Sequence, residues 1–237
     1  MLRAVRPHLL VPVLACAVLC ACALTAHADG MQPESSLILL YEQDGETAMN
    51  VRNTDPGPAL LHTTVLDIAE DSETVVIATP PVARVEPGQE QMVRFIYQGP
   101  PLQVQRLKRV VFEGIGQATQ ADGRAVVGVG VRQNLPMLLH PKGLARNDAP
   151  WKLLQWSSSG RVVSVTNPSA YVVRLAPTLT LVPSGRELDL GRSYLLPGQS
   201  VELPLPEAPV DTADTHVQLQ PASVYGFITR TFDAPLN

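Results

Sequence analysis

The residue types that carry chemistry are sparse in this chain and stand in no spacing that enzymes use. Past residue 28 the histidines are His62, His140 and His216, in separate segments, so no two share one element at a ligand spacing. They read as surface or packed histidines, with metal ligation or general-base duty as the alternative. Asp67, Glu70, Asp71 and Glu73 crowd together but lack the glycine and terminal bidentate glutamate of a calcium loop, so a solvated loop is the plainer reading. No G-x-S-x-G, H-E-x-x-H or G-x-x-x-x-G-K-[ST] is present, and Gly128-Val129-Gly130 lacks a third glycine and precedes a strand. Cys16, Cys20 and Cys22 all fall within the first 28 residues, so the remainder has no thiol for a disulfide, a thiolate zinc site or a nucleophile. The expectation is a protein that is not an enzyme and holds no metal or cofactor.

One stretch has a pattern of its own. Val127-Gly128-Val129-Gly130-Val131 alternates valine and glycine, so a strand here projects three valines on one face and almost nothing on the other. Read alone, it is either a core strand whose glycines admit a close backbone or a strand that binds something.

The elements that must position these residues are strands. From Leu37 onward, short runs of Val, Ile, Leu and Thr alternate with Asn, Asp, Pro and Gly clusters, and no long stripe of helical period occurs. Predicted strands are 37–41, 47–51, 60–68, 75–77, 82–85, 91–97, 108–115 and 125–139. A second series covers 152–155, 161–166, 171–181, 193–195, 200–203, 216–219 and 224–232. Between them lies a polar link, Lys142 to Pro150. The expectation is all-β: two immunoglobulin-like β-sandwich domains without the antibody disulfide, at 29–141 and 151–237, joined by 142–150. The composition, 237 residues with 45% hydrophobic and 17% charged, fits globular domains of that size.

Residues 1–28 read as a secretory signal: Arg3 and Arg6, an apolar run from Leu9 to Leu24, and an Ala26-His27-Ala28 site with cleavage after Ala28. Leu19-Cys20-Ala21-Cys22 loosely resembles a lipoprotein processing site, the alternative that would leave Cys22 lipidated. The apolar run is shorter than a bilayer span, so no retained membrane span is expected. The exported remainder carries 16 basic and 22 acidic residues, which argues against general nucleic-acid binding.

An ordered set of landmarks resembles the periplasmic pilus-assembly chaperones of the PapD-like family over nearly the whole exported chain. These are Asn53 closing a strand, Thr79-Pro80-Pro81, Pro87-Gly88-Gln89, Val93-Arg94-Phe95, Thr166-Asn167-Pro168-Ser169-Ala170-Tyr171, Pro197-Gly198 and Tyr225-Gly226. The resemblance implies two immunoglobulin-like domains in an angled, boomerang arrangement. It implies a periplasmic protein that caps pilus or fimbrial subunits by donor-strand complementation, a recognised form of β-augmentation, and passes them to an outer-membrane usher. Val127, Val129 and Val131 then become the donor residues, and no cofactor or nucleotide is implied.

The chain also departs from the family. Positions where the family places an arginine and a lysine to hold the subunit's terminal carboxylate align with Ile38 and Pro136, and an interdomain charged trio aligns with Arg109, His140 and Val224. Arg109, in Arg106-Leu107-Lys108-Arg109-Val110-Val111-Phe112, resembles the R-x-x-R-x-V run of divergent members and is the first candidate anchor; Arg132 is the second. Each has a solvated strand-end charge as its alternative. The structural alternative is a secreted or adhesive sandwich of a surface fibre, although the polar segment Asp29 to Ser36 is a poor donor extension. A sandwich-fold glycan hydrolase would need aromatic platforms, for which Trp151 and Trp156 are weak support.

Overall fold

The computed structural model describes residues 30–116, 131–205, 209–211, 213–223 and 229–237. The first series of strands is β1 (Met31–Pro33), β2 (Ile38–Tyr41), β3 (Glu46–Asn53), β4 (Ala59–Leu66), β5 (Val76–Thr79), β6 (Val82–Val85), β7 (Glu90–Tyr97), β8 (Arg106–Gly116) and β9 (Arg132–His140). They form a four-stranded sheet, β1-β3-β7-β5, packed against a five-stranded sheet, β2-β9-β8-β4-β6. Alternation explains the packing: Met49, Val51, Leu61, Val93 and Phe95 point inward from their strands and meet Phe112, Met137 and Leu139 in one core. β8 departs from alternation. Leu107, Lys108, Val110, Val111 and Phe112 are all buried: Val110 and Phe112 cover the core, Leu107 joins the interdomain cluster, and Lys108 is enclosed by the carboxylates of 67–73.

The second series is β10 (Gln155–Ser159), β11 (Val162–Thr166), β12 (Val173–Arg174), β13 (Thr178–Val182), β14 (Glu187–Asp189), β15 (Tyr194–Leu195), β16 (Ser200–Pro204), β17 (His216–Leu219) and β18 (Phe232–Pro235). Sheets β10-β11-β16 and β14-β13-β17-β18, with the short pair β12-β15, enclose a core that includes Trp156, Val163, Val165, Leu179, Leu181 and Val217. Trp156 is fully buried, so it offers no platform to a sugar.

Several expectations need correction. The strand expected at 152–155 is a 3-10 helix, Pro150–Leu153, because Pro150 supplies the fixed φ of a helical first turn; β10 starts at Gln155. The single strand expected over 171–181 is two, β12 and β13, interrupted before β13 at Pro177, which has no N–H for a ladder. The strand expected at 224–232 runs over 232–235 in its described part, residues 224–228 being outside the description. Met31–Pro33 adds an edge strand whose Met31 side chain is buried over Gly114.

Both domains are closed by the same corner. Asn53 is fully buried; its Nδ2 donates to the carbonyls of Gly57 (3.0 Å) and Val85 (2.9 Å), and its Oδ1 accepts from Asp55 N. Asn167, equally buried, donates from Nδ2 to the carbonyls of Tyr171 (2.8 Å) and Leu196 (3.0 Å), and its Oδ1 accepts from Ser169 Oγ. Each asparagine backbone is then met by a Pro-Gly-Gln turn, through Gly88 N and Gln89 O in one domain and Gly198 N and Gln199 O in the other. Both turn glycines have φ of +73°, which a side chain would strain. Replacing Asn53 by leucine removes the donor to two carbonyls, and replacing Asn167 removes the donor to three, Leu195 included. Asn53→Leu and Asn167→Leu should each destabilise their own domain by about 2–4 kcal/mol in denaturant titration, and a loss under 1 kcal/mol would refute the corner's role.

Candidate functional site

The site is built on β9 and its neighbour β8. β8 pairs with β9 along its length, from Arg106 with Leu139 to Glu113 with Arg132. On the opposite side β2 runs parallel to β9 but pairs only with Met137 to His140. Among the described residues the backbone of 132–136 is therefore laddered on one side and open on the other, an edge that can accept another strand. Val131 precedes this edge, half-buried beside Gly30, where a Cβ on the glycine would come within 3.3 Å of the Val131 Cβ. Val127 and Val129 lie outside the described residues, as do Val224, Tyr225 and Gly226.

Below that open edge the two domains enclose a cleft of about 260 Å³, walled by Leu107, Pro136 and Pro177 and carrying Arg109, Arg174 and Tyr194. Arg109 arrives from β8 and Arg174 from β12, so each domain supplies one guanidinium. Arg109 donates from Nε to Asn134 Oδ1 (2.8 Å) and from Nη2 to the Asn134 carbonyl (2.7 Å). Arg174 has a buried Nη1 without a hydrogen-bond partner. Burial lowers the pKa of both arginines, and for Arg174 the charge of Arg109 lowers it further. No described carboxylate pairs with either guanidinium. Two partly desolvated cations so placed are a seat for an anion, because charge-assisted hydrogen bonds offset the desolvation they have already undergone.

The other sequence candidates fall elsewhere. Ile38 is a core residue of the first domain, and Pro136 is buried in the cleft wall. Arg132 is exposed, with Nε 3.9 Å from Glu113 Oε2. His62 lies 3.8 Å from the same carboxylate, and His216 meets Thr215 Oγ1 at 2.9 Å. The sequence does not mark Arg174, whose only signal is one charge following Val172-Val173 in an otherwise apolar run.

What holds the cleft open is a polar mount between the domains. The acidic residues expected to form a solvated loop instead clasp a buried lysine and two half-buried arginines. Lys108, only 1% exposed, donates from Nζ to Asp67 Oδ1 (2.7 Å), Asp71 Oδ1 (3.0 Å) and the carbonyls of Asp71 and Glu73. Arg106 pairs with Asp71 and Glu73. From the same loop Glu70 crosses to the second domain, accepting from Arg192 Nη1 and Tyr194 OH at 2.9 Å each. A strand end carrying Lys108 and Arg106 cannot be buried without these carboxylates, so the loop folds inward.

A second bridge passes through Gln105 and His140, both buried. Val172 N donates to Gln105 Oε1 (2.9 Å), Gln105 Nε2 to His140 Nδ1 (2.8 Å), and His140 Nε2 faces the Leu144 carbonyl at 2.9 Å. A backbone N–H at one end and a carbonyl at the other set every direction between them, and place the imidazole hydrogen on Nε2. Leu37, Leu107, Leu138 and Val172 form an apolar cluster beside this relay, joining the domains.

The family described as pili and flagellar-assembly chaperone, PapD N-terminal domain, matches residues 30–145, and the PapD C-terminal domain of pili assembly chaperones matches 149–232. The chain belongs to the PapD family of pilus-assembly chaperones. It is 43% identical to the fimbrial chaperone YhcA of Escherichia coli (strain K12) over 202 residues, covering 84% of this chain and 88% of that one. It is 30% identical to the chaperone protein FimB/FhaD of Bordetella pertussis over 184 residues, 72% of this chain and 75% of that one. In fold it is similar to the E. coli chaperone DraB (TM-score 0.70, 22% identity, 88% and 98% coverage). It is also similar to the complex of Salmonella enterica SafA pilin with the SafB chaperone (TM-score 0.72, 16% identity, 90% and 99% coverage). Matches to chaperones over most of their length do not favour the alternative of a fibre subunit. No helix among the described residues is long and apolar enough to cross a membrane.

The mount makes a prediction about acid. Burial alone would raise the Asp71 carboxyl, but hydrogen bonds from Arg106 and Lys108, and their charges, reverse this and hold it below the ordinary carboxylate value. Because the folded pKa is the lower one, this stabilisation is present above the unfolded value near ~3.9 and is lost as pH falls through the folded value. Asp71→Asn should lower stability at neutral pH by about 2–4 kcal/mol and flatten its dependence below pH ~4. A variant whose acid unfolding profile parallels the parent would disprove the assignment.

Proposed function

We propose that this protein is a periplasmic, non-enzymatic chaperone that caps pilus or fimbrial subunits by donor-strand complementation and delivers them to an outer-membrane usher. The observation that carries this reading is the open edge of β9 directly above a cleft holding two guanidiniums without a carboxylate. A subunit that lacks a strand presents a groove between unpaired edges, and a strand lent to that groove offers backbone groups to both edges. Val127, Val129 and Val131 fill the groove, each contributing roughly 1.5–3 kcal/mol before association costs are subtracted. Arg109 receives the subunit's terminal carboxylate, with Arg174 as the second donor from the other domain. Arg132, exposed and near Glu113, is assigned to the rim rather than the anchor.

The domains follow the organisation 29–141 and 151–237 with a link between, after removal of a signal segment at Ala28. Export to the periplasm agrees with that signal and with the family.

Two variants test the reading by co-expression with candidate subunits and affinity recovery of the soluble complex. Val129→Asp should abolish recovery while the chaperone remains folded by circular dichroism, since a buried unpaired carboxylate is not tolerated in an apolar groove. Arg109→Ala and Arg174→Ala should each weaken binding of a subunit with a free C-terminus at least tenfold, and hardly affect one with an amidated C-terminus. Unchanged recovery with Val129→Asp, or equal losses for both termini, would overturn the respective assignments.

A further inference from the structure

A guanidinium has two edges with which to meet a carboxylate: side-on, through Nε and Nη2, and end-on, through Nη1 and Nη2. In Arg109 the side-on edge is already taken. Nε donates to Asn134 Oδ1 and Nη2 to the Asn134 carbonyl, at 2.8 and 2.7 Å, so both contacts are made to one residue. We propose that Asn134 is a positioning residue for the carboxylate anchor, holding the side-on edge of Arg109 so that its end-on edge is presented to the cleft. The inference rests on the assignment of Arg109 as the anchor.

Three features lead to this role. A long arginine side chain ordinarily loses rotamer freedom when it binds, and a two-point contact fixes its plane before any ligand arrives. Asn134 itself is exposed, so its side chain adds little to the core and its contact with Arg109 is its one conspicuous interaction. Asn134 also belongs to β9, three residues beyond Val131, a separation of roughly 10 Å along an extended strand. The point at which the carboxylate is gripped is therefore fixed relative to the donor residues. A seated terminus selects the strand register, and a shift by one residue, which would turn the wrong side chains to the groove, breaks the grip. Arg174 has no comparable orienting contact at its Nη1, so Arg109 is the anchor that sets the geometry.

The test uses the full exported chain with acetate and acetamide as probes, following the guanidinium nitrogens of Arg109 by NMR. In the parent protein acetate, but not acetamide, should move the Arg109 Nη signals, and the Nη protons should be separately resolved because rotation of the group is restrained. Asn134→Ala, which removes the Nε contact and keeps the backbone carbonyl, should weaken the acetate effect about fivefold and narrow the separation of those proton signals, with the thermal midpoint unchanged. Asn134→Asp, which keeps the contact but supplies its own negative charge, should abolish acetate binding. Equal acetate affinity in the parent and Asn134→Ala overturns the positioning role while leaving Arg109 as anchor. No acetate effect on Arg109 in the parent overturns both.

Discussion

A β-strand laddered on one side only is an unfinished structure, and in the first domain half of β9, an otherwise interior strand, is in that condition. Met137 to Leu139 are held between β2 and β8, whereas residues 132–136 have β8 alone. The backbone groups of the open half are strong donors and acceptors whose partners must come from water or from another chain. Every other feature of the site is arranged about this edge: Val131 lies at its start, Pro136 and Arg109 at the floor beneath it, and the second domain across the cleft. The shortness of β2 is what leaves this edge unpaired, since a longer partner would seal it.

The cleft exists because the domains are held apart by polar contacts as well as drawn together by apolar ones. The cluster of Leu37, Leu107, Leu138 and Val172 supplies non-directional attraction. Direction comes from the Val172–Gln105–His140–Leu144 relay and from Glu70 meeting Arg192 and Tyr194, each requiring one geometry. Lys108 lies at the root of this arrangement. An ammonium so deeply buried needs several oxygens, and those it gathers bring the 67–73 segment across toward the second domain.

Much of this was legible before any coordinates. Period-two alternation located β3, β4 and β7, and the ordered landmarks led to the correct family. Local sequence failed where long-range packing decided the outcome. β1 has one sizeable apolar residue, Met31, and its burial depends on a neighbour in the opposite sheet. The acidic segment looks solvated because its cationic partners are more than thirty residues away or in another domain. Pro177 reads as a tolerable irregularity in an apolar run but ends the ladder. Arg174 carries no motif, and only the meeting of two domains brings it opposite Arg109.

The matched Asn-and-Pro-Gly-Gln corners have a further consequence. Each sandwich carries its own clasp, made entirely from its own residues, so neither borrows its closure from the other. The angle between them is governed by different contacts: the apolar cluster of Leu37, Leu107, Leu138 and Val172, the Gln105–His140 relay and the Glu70 bridge. Substitutions at the Gln105–Val172 or Glu70–Arg192 contacts can therefore alter that angle while each sandwich keeps its own closure.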